Sequence, residues 1–264
     1  MPAARAIAAA QTVPLRGDVE ANVAQHARLA RLAAEEGAEV LVFPELSLTG
    51  YELDLAAGLA FSPGDARLTP LVDVASAHSM TLVAGGPVRI GPRLHIAAFV
   101  IAPEGAVGLY TKQRLGAFSP AASCDGVVPP AEATVFAPGT LDPLVRFGGN
   151  TAAVAICADI GDPSHPRRAA GRGADTYLAG MFVIPSEFER ETESLGVYAE
   201  RHSLTVVFAN FGGPSGGLRS AGRSAIWSGT GELLARLEPL GAGLAVAIES
   251  DTGWRAKAIT LGGS

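Results

Sequence analysis

The chain has 264 residues, of which 48% are hydrophobic, and a formal net charge of −6 at pH 7. This apolar content is enough to fill a sizeable core, which argues against general disorder, and the lack of a prominent basic run argues against a nucleic-acid partner. The two cysteines, Cys124 and Cys157, do not suggest a disulfide framework, and neither CxxC nor HExxH metal-site spacing occurs.

The N-terminal stretch MPAARAIAAAQTV carries one arginine followed by small residues. It lacks the long apolar core of a signal peptide, and we interpret residues 5–13 as a first strand. No segment has the uninterrupted apolar length that is needed to cross a bilayer. We therefore expect a protein of the reducing cytoplasm that has no membrane partner.

Strand and helix patterns alternate from one end of the chain to the other. Asp18 is a suitable N-cap for a helix that runs to about Glu36 and is stopped by Gly37. The next segment, EVLVF (39–43), is a continuous apolar run typical of a strand buried on both faces. Further strands are predicted at 81–86, 94–102, 106–112, 151–156, 175–180, 204–210, 224–237 and 243–250, and further helices at 65–78, 166–172 and 187–203.

This alternation predicts a single α/β domain over residues 1–264, built from packed layers. No linker rich in proline, serine or charge divides the chain. The most irregular segment is 116–132. Because long loops inside compact domains are often functional, we expect this segment to lie near a site.

Polar residues of three complementary types follow three of the apolar strands. Glu45 is the first polar residue after EVLVF, Lys112 follows GLYT, and Cys157 follows TAAVAI. Ligands of open α/β sheets bind at the carboxyl ends of the strands. A thiol needs a base or a nearby positive charge to become a nucleophile. Glu45 could take the proton of Cys157, and Lys112 could stabilise the thiolate and then an oxyanion.

A purely structural interpretation competes with this one. Cysteine is among the most frequently buried residue types, so an isolated Cys157 is more often a core residue than a nucleophile. A single glutamate or lysine at a strand end is usually solvated. Residue type and position alone therefore leave both interpretations open.

Longer motifs around these residues resemble the nitrilase, or carbon–nitrogen hydrolase, superfamily. LVFPELSLTGY resembles its glutamate motif with Glu45, LYTKQRL its lysine motif with Lys112, and VAICADIGDPSHPRRAAGRGAD its cysteine motif with Cys157. The similarity continues through AEATVFAPG, VVFANFGG and GRSAIWSGTGELLA, in the order of the family. The resemblance implies a four-layer α-β-β-α sandwich of two mixed sheets, and a homodimer or larger homo-oligomer.

The resemblance also implies an activity. It makes Glu45 the base, Cys157 the nucleophile that forms a thioester, and Lys112 with the backbone N–H of Ala158 the groups that hold the oxyanion. A second glutamate near the site is matched best by Glu132, for which a solvated loop carboxylate is the alternative. The implied reaction is hydrolysis of a small, non-peptide carboxamide to an acid and ammonia or an amine, with no metal or organic cofactor. The alternatives are a nitrile or N-carbamoyl substrate, or a binding or assembly module without turnover.

Several positions depart from the family pattern and leave the substrate and the subunit contacts open, among them Ser164, Arg201 and His202. Arg114 stands where a histidine is frequent, and Ala158 stands where an aromatic residue is common. Met181 and Phe182 follow the predicted strand 175–180 at the same sheet edge. We consider them candidates for the wall of a substrate pocket, although they could equally belong to the core.

Three loops are expected to set specificity, namely 52–64, 116–131 and 183–190. The glycine-rich stretch GGPSGG (212–217) is interpreted as a turn, because the other residues of a serine-based amidase motif are missing. Cys124 is interpreted as an incidental thiol, since no predicted strand presents it.

Overall fold

The computed structural model describes residues 5–123 and 126–261, within which the chain forms thirteen strands and five α-helices. The strands are β1 (Ala6–Gln11), β2 (Val40–Val42), β3 (Thr81–Ile90), β4 (Arg93–Ile101), β5 (Val107–Thr111), β6 (Val145–Phe147), β7 (Asn150–Ile156), β8 (Thr176–Gly180), β9 (Thr205–Ala209), β10 (Ala225–Trp227), β11 (Leu233–Arg236), β12 (Gly243–Ser250) and β13 (Gly253–Thr260). The helices are α1 (Val19–Glu35), α2 (Ala56–Leu59), α3 (Thr69–Ala77), α4 (Ser164–Gly171) and α5 (Phe188–His202).

The strands form two sheets of similar design. The first has the order β13-β12-β1-β2-β3-β4-β5, and the second has the order β11-β10-β9-β8-β7-β6. Each has a parallel centre, β1 to β3 in the first and β7 to β9 in the second, flanked by antiparallel strands. Both sheets are therefore mixed, and their parallel strands end at edges where loops can gather side chains.

The sheets pack face to face around a shared hydrophobic core. Ile7 and Val42 of the first sheet belong to the same buried cluster as Val154 and Val207 of the second. Side chains alternate along a strand, so the residues between these positions point to the outer faces of the sheets. One face of the strands is thus buried in the core between the two sheets.

Helices cover the two outer faces. Leu41 of β2 shares a buried cluster with Leu29 of α1 and Leu71 of α3. On the other side, Ala155 of β7 shares a cluster with Leu195 of α5. The layers follow one another as helix, sheet, sheet and helix, which confirms the predicted four-layer α-β-β-α sandwich with two mixed sheets.

Most predicted elements are present with small shifts at their ends. The carboxylate of Asp18 accepts a hydrogen bond of 3.0 Å from the backbone N–H of Ala21, as expected of an N-cap. The helix predicted at 65–78 begins as a short 3-10 turn (Ala66–Leu68) before α3. Three elements have no counterpart among the predictions. β6 and α2 have only three and four residues, and β13 alternates charged and small side chains at an exposed sheet edge.

The irregular segment 116–132 contains only 3-10 turns within its described part, at Pro120–Ala122 and from Glu132 onward. Cys124 lies outside the described residues. Among residues 5–123 and 126–261, no helix combines the length and the apolar composition that crossing a lipid bilayer requires.

Candidate active site

The segment that carries Glu45 leaves β2 and passes close to two glycines. A Cβ atom at Gly85 of β3 would lie 2.4 Å from the carbonyl oxygen of Pro44, and one at Gly180 of β8 would lie 2.6 Å from that of Phe43. Real Cβ atoms do not approach backbone oxygens so closely, so both positions require glycine unless the segment shifts. These two glycines fix the path of the glutamate segment between the sheets, a role that the sequence analysis missed.

A buried histidine ties the same segment to α1. The Nδ1 atom of His26 lies 2.7 Å from the carbonyl oxygen of Asn22 and therefore donates to it, while its Nε2 lies 2.8 Å from the hydroxyl of Ser47. Burial lowers the pKa of His26 to about 4, so the ring is neutral at pH 7 and Nε2 accepts from the hydroxyl. Ser47, two residues beyond Glu45, is thereby held in place.

Lys112 joins two glutamates in the interior. Its Nζ donates to Oε1 of Glu45 at 2.6 Å and to Oε1 of Glu132 at 2.7 Å. All three side chains are buried. Glu132 is fixed by two further bonds of 2.7 Å, from the hydroxyl of Tyr51 and from the backbone N–H of Gly116. Glu132 is thus a buried partner of Lys112 rather than a solvated loop carboxylate.

Cys157 is the first residue after β7, where the strand turns into a 3-10 helix (Cys157–Gly161). Its φ angle is +42°, which is uncommon for a residue with a side chain and is typical of strained turns at functional sites. The residue is partly exposed, and its Sγ lies 3.7 Å from the carbonyl oxygen of Phe182. The residue is therefore only partly enclosed at the strand end, although it also packs against the core.

Asp159 connects the turn after β7, which begins with Cys157, to the segment that follows Lys112. Its Oδ2 accepts from the backbone N–H of Ile156 at 3.0 Å, and its Oδ1 accepts from the backbone N–H groups of Gln113 at 3.0 Å and Arg114 at 2.8 Å. The hydroxyl of Tyr110 also donates to Oδ2, at 2.7 Å. No role for Asp159 was predicted from the sequence. An aspartate three residues beyond the end of β7, where loop N–H groups need acceptors, was the available signal.

Burial and mutual proximity shift the pKa values of these groups. Burial raises the pKa of Glu45 to about 7, against the opposing attraction of Lys112. Burial and then the charge of Glu45 hold the pKa of the Cys157 thiol well above its usual range. Burial disfavours the charge on Lys112, but the neighbouring carboxylates and thiol outweigh it and raise its pKa. At pH 7 the site therefore contains a protonated lysine, a neutral thiol and a glutamate near its titration midpoint.

The second carboxylate oxygen of Glu45, Oε2, is the unpartnered acceptor of this cluster. It is buried and has no hydrogen bond of ordinary geometry within the described part of the chain. The thiol of Cys157 lies near enough to this carboxyl to lower its pKa as a donor, although burial dominates. A carboxyl group that has a free acceptor oxygen and neighbours a thiol is positioned to take the thiol proton.

A cavity of about 240 Å³ opens onto the sulfur. Ala158, Met181 and Phe182 line it together with Cys157, as the sequence analysis suggested for the pocket wall. Met181 and Phe182 are also buried in the hydrophobic clusters. These two residues therefore belong to the core and line the cavity at the same time. The ring centroid of Phe182 lies 4.9 Å from that of Tyr51, which makes this part of the wall aromatic.

Two of the three loops expected to set specificity reach the cavity. The loop 116–131 contributes residues 116–118 to its lining, and the loop 183–190 contributes Val183, Glu187 and Arg190. The loop 52–64 does not, and its residues Leu53, Asp54 and Ala57 line a separate surface depression. The reason is that the chain beyond Tyr51 turns away into the short helix α2.

The stretch GGPSGG is a turn with a structural role. The hydroxyl of Ser215 accepts from the backbone N–H of Tyr51 at 2.8 Å and donates to Glu52 at 3.2 Å. The backbone N–H of Gly216 also donates to Glu52, at 2.9 Å. The serine therefore supports the segment that carries Tyr51.

A two-sheet sandwich with a buried glutamate–lysine cluster beside an accessible cysteine defines a class of hydrolase. The family model of carbon-nitrogen hydrolase matches residues 6–250. The chain belongs to this family, and it is a hydrolase that acts on carbon–nitrogen bonds other than peptide bonds.

Individual relatives are similar over most of the chain. A nitrilase from Pyrococcus abyssi is 28% identical over 233 residues, which cover 86% of this chain and 83% of the relative. A glutamine-dependent NAD(+) synthetase from Thermotoga maritima is 26% identical over 85% of this chain, which spans only 38% of that longer protein. A glutamate variant of the amidase from Nesterenkonia sp. AN1, with the acetamide moiety of fluoroacetamide added covalently at its active-site cysteine, has a TM-score of 0.82 at 27% identity, covering 95% of this chain and 92% of that one.

Proposed function

We propose that this protein is a cysteine-dependent amidohydrolase that cleaves a small, non-peptide carboxamide through a thioester. The observation that carries the proposal is the Glu45 carboxyl, which has one unpartnered oxygen, neighbours the thiol of the partly exposed Cys157 and binds the ammonium of Lys112. The amidase from Nesterenkonia supports it, because an acetamide moiety is attached there at the active-site cysteine.

The first half-reaction forms the thioester. Oε2 of Glu45 removes the thiol proton of Cys157, and the sulfur attacks the carbonyl carbon of the amide as the carbonyl electron pair moves onto oxygen. The ammonium of Lys112 and the backbone N–H of Ala158 hold this oxyanion. The N–H of Ala158 is available because it lies in the first turn of a helix, where it has no intrahelical acceptor.

Collapse of the tetrahedral intermediate completes this half-reaction. The protonated Glu45 gives its proton to the amide nitrogen, the carbon–nitrogen bond breaks, and ammonia or an amine leaves. The acyl group stays on the sulfur of Cys157 as a thioester, and Glu45 is again a carboxylate. A pKa of about 7 suits both roles of Glu45, because it accepts and returns the proton near neutrality.

The second half-reaction consumes one water molecule. Glu45 takes a proton from the water, whose oxygen attacks the thioester carbon. The oxyanion forms again beside Lys112, and its collapse breaks the carbon–sulfur bond. The sulfur recovers the proton from Glu45, and the acid leaves. Glu132 keeps one contact of the lysine satisfied throughout, which holds the ammonium in position.

A nitrile substrate is the second candidate, since one relative is described as a nitrilase. Attack of the same sulfur on a nitrile carbon gives a thioimidate instead of an oxyanion, and water must add twice before the acid is released. An N-carbamoyl compound would use the triad of Glu45, Lys112 and Cys157 as an amide does. The experiment below separates these substrate classes, and a protein that only binds would be silent in it.

The test is release of ammonia from a panel of short amides, N-carbamoyl amino acids and nitriles. The matched pair of variants is Cys157→Ala and Cys124→Ala, because these are the two cysteines of the chain. We expect amide hydrolysis in the wild type and in Cys124→Ala, and none in Cys157→Ala, which should retain the circular dichroism spectrum of the wild type. Undiminished turnover in Cys157→Ala would refute the mechanism, and release from nitriles alone would replace the substrate class.

A further inference from the structure

We infer that Arg114 selects amides whose acyl chain carries a carboxylate at its far end. The inference rests on the proposed amidohydrolase function and names the substrate class of the same site. Five charged residues line the cavity around Cys157, namely Arg114, Glu132, Glu187, Arg190 and Glu191.

Four of these five charged residues are already paired. Glu132 binds Lys112 and Tyr51. Arg190 lies 2.5 Å from Oε1 of Glu191 and 3.7 Å from Oε1 of Glu187. The ammonium of Lys112 is also paired, because it lies between the carboxylates of Glu45 and Glu132.

Arg114 is the exception. Its guanidinium has no hydrogen-bond or ion-pair partner in the parts of the chain that the structure describes, 5–123 and 126–261, although the residue lines the cavity and is exposed. An arginine is always charged and presents a planar fork of donors that matches a carboxylate in two parallel hydrogen bonds. The lining therefore contains one cation that is free to bind an anionic group of the substrate.

The backbone of Arg114 is fixed relative to the reacting groups. Its N–H donates to Asp159 at 2.8 Å, and Asp159 lies in the turn that begins with Cys157. The residue also follows Lys112 by two positions. The guanidinium thus extends from an anchored point beside the triad, and a carboxylate bound to it would orient the amide at the other end of the chain towards the sulfur.

The surroundings favour a short monoanion. The cavity, at about 240 Å³, is below the roughly 300–1,000 Å³ typical of pockets for drug-sized ligands. Glu187 and Glu191 also line the cavity and would repel a dianion more strongly than a monoanion, even though both are paired with Arg190. A monocarboxylate on a short aliphatic chain therefore binds Arg114 with less repulsion than a phosphate dianion would.

The test compares two amides of the same shape and different charge. In succinamate a carboxylate ends the chain, and in 4-methylpentanamide an isopropyl group takes its place. We expect the wild type to prefer succinamate, and Arg114→Gln to lower kcat/KM for succinamate about ten- to a hundredfold. The neutral amide should be hydrolysed with kcat/KM within about threefold of the wild type. Raising the ionic strength about tenfold should weaken the preference in the wild type, because Arg114 is exposed.

Two further variants keep the test specific. Arg93→Gln removes the same charge from an exposed residue outside the cavity, and should leave both amides unaffected. Arg114→Lys keeps the charge but loses the planar fork, and should retain part of the preference. If Arg114→Gln hydrolyses both amides in the wild-type ratio, this inference is overturned while the proposed function stands. If the wild type hydrolyses no amide and no acyl group forms on Cys157, the proposed function fails and the inference falls with it.

Discussion

Replacing Glu45 by glutamine should separate catalysis from folding. Glutamine has nearly the same shape and can still accept from Lys112, which also keeps its 2.7 Å bond to Glu132. What is lost is the oxygen that accepts the thiol proton. General bases contribute about a hundred- to ten-thousandfold to such reactions, so we expect kcat/KM for the best amide to fall by that factor.

The pH profile gives the sharper measurement. Because burial raises the pKa of Glu45 to about 7, the wild-type kcat/KM should rise about tenfold per pH unit below that value and then level off. At pH 5, about two units below the pKa, activity should be about a hundredfold below the plateau. The Glu45→Gln variant should lack this acid limb, that is, the rise of kcat/KM with pH below about 7. Stability offers a second readout, since a raised carboxyl pKa means that wild-type stability declines as pH rises from about 4.5 to about 7, a decline the variant should not share.

The assay is ammonia release between pH 5 and 9 together with thermal unfolding at each pH. Glu52→Gln is the matched control, because Glu52 is also buried but binds Arg16, Ser215 and Gly216 instead of Lys112 and Cys157. It should keep the acid limb near pH 7. A Glu45→Gln protein that is folded and retains either wild-type activity or the same acid limb would refute the assignment of Glu45 as the base.

Three further predictions concern the groups that support the site. Gly85→Ala should abolish most activity and lower the melting temperature, because its Cβ would lie 2.4 Å from the backbone oxygen of Pro44. Gly108→Ala is the control and should do neither, because the atom nearest to its Cβ would be 3.8 Å away. Tyr51→Phe removes a 2.7 Å bond to the second glutamate and should lower kcat/KM about five- to tenfold without unfolding the protein; an unchanged value would show that the hydroxyl does not position the lysine. Asp159→Asn replaces an acceptor of loop N–H groups by a side chain with one donor end, and should cost about 1–3 kcal/mol in urea unfolding; an unaltered midpoint would contradict the bridging role.

The residues at strand ends were predictable because apolar runs in the sequence indicate where strands lie. Glu45, Lys112 and Cys157 each follow such a run, and α/β sheets bring the carboxyl ends of their strands together. The motif resemblance then implied the arrangement of sheets that the structure has. Sequence patterns therefore predicted the fold class and the three residues at the centre of the candidate site.

The contacts made by loops were not predictable from the sequence, because they depend on the path of backbone that has no regular secondary structure. Tyr51 meets Glu132 across 81 positions of sequence, and no periodic pattern relates them. The requirement for glycine at Gly85 and Gly180 arises from backbone of a different segment, which is visible only in three dimensions. The assembly into a homo-oligomer and the cytoplasmic location remain predictions, which light scattering and cell fractionation would test.

The most direct test of the central claim is to trap the acyl group on Cys157. The Cys124→Ala protein, mixed with the best amide and quenched in acid during turnover, should gain the mass of the acyl group, and peptide mapping should locate it on Cys157. Glu45→Gln should show slower loss of any acyl group that forms, because the base that activates water is missing. Steady hydrolysis without a covalent adduct, even under rapid quenching, or an adduct on another residue would contradict the account.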